Sequence, residues 1–258
     1  MITSQTSDRT FFAASATFFA LSATLTIVGC ASMSPMDAMP MPGGWAMSMT
    51  WMRMPGQTWG GMAISFIAMW NVMMAAMMLP SLVPALRHYR QAVSATSGMQ
   101  LERLTVLVAV GYFFAWTLFG MLVFPLAAAS AAADMRWPWF AHLIPSVTGV
   151  IVLVAGALQF TPWKARHLAR CRQALRHAPM LPLRTSAAWR QGMCLGLHCC
   201  LSCANLTAIQ LVIGVMDLRA MAFVTVAITA ERLAPASKLV AQAIGAVVIA
   251  AGLFLIAG

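Results

Sequence analysis

Charged side chains are scarce in this sequence. Asp, Glu, Lys and Arg make up 9% of the 258 residues, whereas they make up about a quarter of an average soluble domain. Hydrophobic residues make up 61%, and the mean hydropathy is +0.80. This composition excludes a soluble globular domain and a disordered chain. The six cysteines are too few for a disulfide-stapled secreted module of this length, so the sequence predicts an integral membrane protein.

Several chemical signatures are also missing. The sequence has no glycine-rich phosphate-binding loop, which excludes an ATP-driven pump within this chain. It has no CxxCH motif for haem attachment and no tandem CxxC spacing of a structural zinc ribbon. Carboxylates are few, and they fall near the ends of the apolar windows. We therefore predict no catalytic residues, and an enzymatic function is not the favoured one.

Seven apolar windows predict seven transmembrane helices, since a span needs about 20 mostly apolar residues. They cover residues 10–29, 59–79, 104–129, 142–160, 193–213, 220–230 and 239–257, and the sixth is the shortest. The predicted fold class is all-α, a polytopic membrane helix bundle forming a single membrane domain over residues 1–258. Between the spans, residues 30–57 form a Met-rich outer loop and residues 161–190 form a basic cytoplasmic loop.

The basic residues orient this bundle, because Lys and Arg favour the cytoplasmic side. With the N-terminus inside, just Arg53, Arg136 and Arg219 of the 16 basic residues lie outside. We therefore predict the N-terminus inside and the C-terminus outside, in the bacterial cytoplasmic (inner) membrane, with the lipid bilayer as a partner. The topology explains the net charge of +10. No nucleic-acid partner is expected, because the basic residues do not interleave with stacking aromatics.

The first span has an alternative interpretation. The segment from Ile27 to Cys30 has the form of a lipoprotein signal ending, with Cys30 as the acylated residue. Residues 1–9 carry Asp8 and Arg9, whereas a signal peptide has a net positive start. A retained span is therefore favoured, and a cleaved signal over residues 1–29 remains the alternative.

The outer loop is dense in methionine, with eight between Met33 and Met54. Thioethers are soft ligands that select Cu(I), and they cannot be lost to disulfides in an oxidising compartment. The candidate ligands in this loop are Met47, Met49, Met52 and Met54. The alternative is that these flexible apolar side chains fill gaps on the bilayer surface.

The second span has a methionine stripe. Met73 and Met77 are four residues apart and so share one helical face. Asn71 is a polar amide at membrane depth, where such residues usually face a partner or a cavity. The alternative is packing by the methionines and an interhelical hydrogen bond from the asparagine.

The fifth span carries a cysteine cluster. At 100° per residue, Cys199, Cys200 and Cys203 fall on one face of a helix, while Cys194 and His198 form a pair on another face. Thiols converging on one face can bind a soft cation as thiolates. The alternative is that buried cysteine acts as a small hydrophobic residue.

The basic loop and the span ends offer further candidates. His167 and Cys171 are four residues apart on a predicted short helix after Pro162, and they could begin a metal site. The alternative is a surface helix held by anionic headgroups. Asp217 and Glu231 are the polar residues near the ends of the sixth span, and Glu231 is expected to form an interface ion pair with Arg232.

Five motifs follow one another along about residues 59–238. The same motifs occur, in this order, in the members of one known family. They are W-x-x-M-x-x-A-M-M-x-P-x-x-x-P, Q-x-T-P-x-K-x-x-C-L-x-x-C-R, a Gly- and Cys-rich span, G-x-M-N-L and E-K-x-x-P. The matching residues here are Trp70, Met73, Ala76, Met77, Met78, Pro80, Pro84, Gln159, Thr161, Pro162, Lys164, Leu168, Cys171, Arg172, Gly196 to Cys203, Gly214, Met216, Leu218, Glu231 and Pro235. The departures are His167 for Cys, Asp217 for Asn and Arg232 for Lys. In type and order these motifs resemble the uncharacterised bacterial family of predicted metal-binding integral membrane proteins, which implies membrane residence and metal binding.

Together these features predict a membrane protein that binds a soft metal, Cu(I), in capture, transfer or transport. Thioethers outside, thiols in the fifth span and a His/Cys pair inside would suit passage from weaker to stronger ligands. A metallochaperone or a membrane protein would be the partner. The alternative is a structural or assembly subunit without a metal of its own, and the small residues of the seventh span would then form its packing face.

Overall fold

A computed structural model describes residues 2–33, 39–40, 46–47, 58–93, 98–136, 143–176 and 184–257. The described residues form eight helices and one pair of two-residue strands. Strands β1 (Met39–Pro40) and β2 (Ala46–Met47) pair in antiparallel fashion. The helices are α1 (Ile2–Met33), α2 (Trp59–Ala92), α3 (Gly98–Arg136), α4 (Ile144–Leu158), α5 (Pro162–Arg176), α6 (Thr185–Ile213), α7 (Leu218–Leu233) and α8 (Ser237–Ala257). The prediction of an all-α helix bundle is confirmed.

The number of membrane-spanning helices is five or six among the described residues, where the sequence predicts seven. Helices α1, α2, α3, α6 and α8 are each long and apolar enough to cross a membrane. Helix α7 has 16 residues and therefore a length of about 24 Å, which is shorter than a hydrocarbon core of about 30 Å. Helices α4 and α5 reach the required length as a bent pair.

The bend between α4 and α5 lies just after the predicted fourth span, residues 142–160, whose helix α4 ends at Leu158. The two helices meet at an angle of 64° across the short break that ends at Pro162. Proline disfavours helical geometry in the residue before it, so the helix stops at this point. The Thr161 hydroxyl then accepts a hydrogen bond from the backbone N–H of Lys164 and begins α5.

Helix α2 continues through two prolines. The predicted span stops at residue 79, but the helix includes Pro80 and Pro84 and ends at Ala92. Proline is tolerated in membrane helices where neighbouring groups satisfy the carbonyls that it frees. The hydroxyl of Ser81 donates to the Met78 carbonyl within this turn, whereas the carbonyls that the two prolines leave without an N–H donor are those of Ala76 and Pro80. As a result, Met78 and the polar residues that follow it in the sequence belong to one helix.

Helices α3 and α6 approach each other closely because glycines line the contact. A Cβ atom on Gly192 would overlap the backbone carbonyl of Val108, and a Cβ on Gly196 would lie 2.7 Å from the carbonyl oxygen of Tyr112. Such small residues allow helix backbones to approach within van der Waals distance in membranes. This approach places the Tyr112 side chain beside the middle of α6, where the cysteines lie.

The outer surface of the bundle is apolar. Exposed leucine, valine and phenylalanine side chains cover α1 and α8, among them Leu25, Val28, Leu239 and Phe254. In a soluble protein such a surface would drive aggregation. For helices able to span a membrane it is the surface that contacts lipid, which supports a multi-pass membrane protein.

Candidate metal centre

Three sulfur atoms meet inside the bundle. The Sγ atom of Cys199 lies 4.0 Å from Sγ of Cys203 and 3.9 Å from Sδ of Met78. The hydroxyl of Tyr112 lies 2.9 Å from the same Cys199 sulfur. All four side chains are buried. We call Met78, Cys199 and Cys203 the sulfur cluster.

The spacing within the sulfur cluster suits a shared metal ion. Metal–thiolate bonds of about 2.3 Å, as zinc makes, place two sulfurs about 4.0 Å apart when the angle at the metal is about 120°. The two distances at Cys199 are close to this value. Two of the three sulfur–sulfur separations therefore suit a soft cation shared by these side chains.

A buried arginine lies beside the sulfur cluster. Arg232 of α7 is 4% exposed, and its Nη1 atom donates to the hydroxyl of Ser81 at 2.9 Å. Its Nε and Nη2 atoms have no hydrogen-bond partner among the described residues. The guanidinium is close enough to interact electrostatically with Cys199 and Cys203. Since an unpaired buried charge is costly, this cation indicates a place where negative charge can be held.

A second charged network supports the cluster from the side of α5. The Lys164 ammonium lies 2.8 Å from Oε2 of Glu231, and both side chains are almost fully buried. The ammonium also donates to the Ser202 carbonyl at 2.5 Å and to Oδ1 of Asn205 at 3.3 Å. Gln159 donates to Oε1 of Glu231 at 2.7 Å. These bonds join the α4–α5 break and helix α5 to α6 and α7.

The prediction that Glu231 forms an ion pair with Arg232 is wrong. Both residues are buried inside the bundle. Glu231 pairs with Lys164, while Arg232 bonds Ser81. Adjacent residues on a helix point about 100° apart, so the acid and the base meet different neighbouring helices.

The remaining candidates of α6 separate into two groups. Cys200 is buried in the apolar core; among the described residues its sulfur has no hydrogen-bond-range contact with another sulfur, although Cys203 is close enough to interact with it electrostatically. Cys194 is exposed, and Nδ1 of His198 lies 2.7 Å from the Cys194 carbonyl oxygen. Metal binding by Cys194, His198 and Cys200 stays a prediction.

The candidates of the basic loop lie on the predicted helix after Pro162, which is α5. Cys171 is fully buried, and Ser202 and Cys203 are close enough to interact with its thiol electrostatically. The Ser202 hydroxyl is in turn 3.6 Å from the Cys203 sulfur. His167 is half-buried, with its ring 4.6 Å from that of Trp163. Helix α5 thus brings Cys171, but not His167, towards the sulfur cluster.

The candidates of α2 and α7 have distinct surroundings. Met73 and Met77 are buried. Asn71 donates to the Ile67 carbonyl at 2.8 Å and accepts a hydrogen bond from the Thr117 hydroxyl at 2.7 Å, so it joins α2 to α3. Asp217 caps α7, because its carboxylate accepts from two backbone N–H groups of the first turn.

The candidates of the Met-rich segment are mostly outside the described residues. Met49, Met52 and Met54 lie there. Met47 belongs to β2, and the structure does not describe its side chain. Metal binding by this segment stays a prediction.

The sequence analysis did not assign Met78 to the metal site and did not place Arg232 beside it. Among the described residues, no group of three His, Cys, Asp or Glu side chains is placed to hold a metal ion. The third sulfur comes instead from Met78, a thioether on α2. Arg232 was assigned to an interface. The motif that contains Met78, Pro80 and Pro84 was visible in the sequence. The contact of Met78 with α6 depends on how the helices pack, which residue spacing does not show.

One comparison with known proteins gives a match. The sequence model of a family described as PpoB2, copper chaperone, matches residues 67–255. No curated protein and no solved structure matches the chain. The matched range includes the sulfur cluster and Arg232, whereas helix α1 lies before it. Because the match covers well over half of the sequence, the chain belongs to the family described as PpoB2, copper chaperone.

Proposed function

We propose that this protein is a membrane-embedded copper chaperone that holds Cu(I) at Met78, Cys199 and Cys203. The observation that carries the proposal is the position of the Cys199 sulfur, within 4.0 Å of both other sulfurs. Thiolate and thioether ligands are soft donors that select Cu(I), zinc or iron–sulfur clusters. Membership of a copper chaperone family supports the choice of metal.

Charge balance supports a bis-thiolate site at this position. Cu(I) bound by two thiolates carries one negative charge, and Met78 adds none. A net charge is costly to bury in a membrane bundle. Arg232 supplies one positive charge near both cysteines, so the loaded centre would be neutral as a whole. The buried guanidinium thereby has a role that packing alone does not give it.

The arrangement also suggests how copper leaves the centre. Cys171 lies beside Ser202, which contacts Cys203. A third thiol next to the cluster could take over one ligand position, so that the ion moves by exchange and never becomes free. In the predicted topology α5 belongs to the cytoplasmic side. We therefore propose transfer between a Met-rich outer segment and an acceptor protein, across or within the bacterial inner membrane.

Replacing Met78 with leucine is expected to weaken Cu(I) binding by about 10- to 100-fold, similar to the loss of a supporting partner at other metal sites. Leucine has nearly the volume of methionine, so the packing cost is expected to stay below about 1.5 kcal/mol. The measurement is competition against a chromophoric Cu(I) chelator, with the protein loaded anaerobically in detergent.

The matched control is Met74→Leu, since Met74 is equally buried on the same helix and is not among the sulfur atoms within 4.0 Å of Cys199 in the described part of the chain. It should bind copper as the parent does. Equal affinity for the parent and for both variants would remove Met78 from the site. Failure of the parent to retain copper would favour the alternative of a structural subunit.

A further inference from the structure

A second group of sulfur atoms surrounds a cavity between α1, α2 and the start of α7. The Sγ atom of Cys30 lies 3.7 Å from Sδ of Met216. Met69, Met73 and Met221 line the same cavity, which has a volume of about 230 Å³. One cysteine and four methionines therefore line a common space, distinct from the sulfur cluster.

The lining of this cavity favours a soft cation over a hydrated one. The other lining residues are Leu25, Thr26, Gly29 and Val72. Among them Thr26 has the one hydroxyl, and this already donates to the Ser22 carbonyl at 2.8 Å. A hard cation needs oxygen ligands, which the cavity does not supply. Sulfur is the donor that remains.

The spacing and the charge of the group suit one Cu(I) ion. Two sulfurs bound at about 2.3 Å lie about 3.8 Å apart at a tetrahedral angle, close to the observed separation of Cys30 and Met216. Cu(I) with a single thiolate is neutral, so no buried cation is needed. This differs from the sulfur cluster, where two thiolates meet Arg232.

We propose that Cys30, Met216 and the methionines around this cavity form a second Cu(I) site, which loads the sulfur cluster. Met73 and Met78 lie on the same helix, five residues and therefore about 7.5 Å apart along its axis. Five residues make about 1.4 turns, so the two side chains also point about 140° apart, and an ion passing from Met73 to Met78 would move around α2 as well as along it. Cys30 precedes the range that matches the family, so the site would be a feature added by α1.

The test is the copper content of full-length protein, loaded anaerobically with Cu(I) and dialysed against a Cu(I) chelator. Cys30→Ser and Met216→Leu should each lower the bound copper by one ion per protein. Cys203→Ser should lower it by a different ion, so that the double variant of Cys30 and Cys203 loses both. Met74→Leu, which replaces a buried methionine outside this cavity, should retain the parent value.

The outcomes separate this site from the sulfur cluster. Unchanged copper content in both Cys30→Ser and Met216→Leu would overturn the second site and leave the first intact. Loss in Cys30→Ser alone, with no loss in Cys203→Ser, would keep the second site and overturn the first. As a second measurement, bound Cu(I) should slow alkylation of Cys30 in the otherwise unmodified protein; an equal rate, or a lipid already attached to Cys30, would contradict the proposal.

Discussion

Replacing Cys203 with serine is expected to remove Cu(I) binding at the sulfur cluster. Cys203 supplies one of two thiolates, and its sulfur is 4.0 Å from that of Cys199. Loss of an outer partner at a metal site costs about 10- to 100-fold in affinity, so loss of a charged ligand should exceed about 100-fold. Serine keeps the size of the side chain and cannot supply a soft donor. Chelator competition in detergent measures the change.

Cys200→Ser is the matched control for this experiment. Cys200 is the same residue type, on the same helix and also buried, but its sulfur is not part of the cluster. Its replacement should leave the Cu(I) affinity within a few-fold of the parent value. If Cys200→Ser weakened binding as much as Cys203→Ser does, the assignment of ligands would be wrong.

Breaking the ion pair between Lys164 and Glu231 is expected to have the largest effect on stability. Removing one partner of a buried pair leaves an uncompensated charge and costs about 3–5 kcal/mol. Lys164→Met should therefore lower the free energy of unfolding by this amount, and Glu231→Leu should do the same. The double variant should be more stable than either single variant, because no charge is then left unpaired. Denaturant unfolding in detergent measures these changes.

The control is an ion pair of which one partner, Glu102, is exposed while the other, Arg90, is buried. Arg90 lies 2.7 Å from Glu102, whose side chain is 51% exposed. An exposed partner limits the contribution of a pair to about 0–1 kcal/mol, so Glu102→Gln should be mild. A Lys164→Met variant as stable as Glu102→Gln would show that the buried network does not stabilise the junction of α5, α6 and α7.

The helices were predictable from composition, but their ends were not. Long apolar windows identify spans because a bilayer demands apolar side chains over a fixed length. The continuation of α2 past Pro80 and the break before Pro162 depend on neighbouring groups that satisfy the backbone. The same residue type therefore interrupts one helix and not the other, and local sequence does not distinguish the two cases.

The candidate centre was predictable in part. The i, i+4 spacing of Cys199 and Cys203 places their side chains on one helical face, and the structure has both sulfurs together. The contribution of Met78 depends on the packing of α2 against α6. The partner of Glu231 depends on the fold of α5, which returns Lys164 to the bundle interior. Periodicity shows which residues share one face of a helix. It does not show which other helix packs against that face, so contacts between distant segments cannot be predicted from it.

The most direct test of sulfur-bound Cu(I) inside the bundle is X-ray absorption at the copper edge. The parent protein would be loaded anaerobically and dialysed against a chelator before measurement. The account predicts an edge typical of Cu(I) and an inner shell of sulfur alone, at about 2.3 Å as for other metal–thiolate bonds. In Cys203→Ser the retained copper and the sulfur signal should both fall. A shell of nitrogen or oxygen, or a parent protein that retains no copper, would contradict the account.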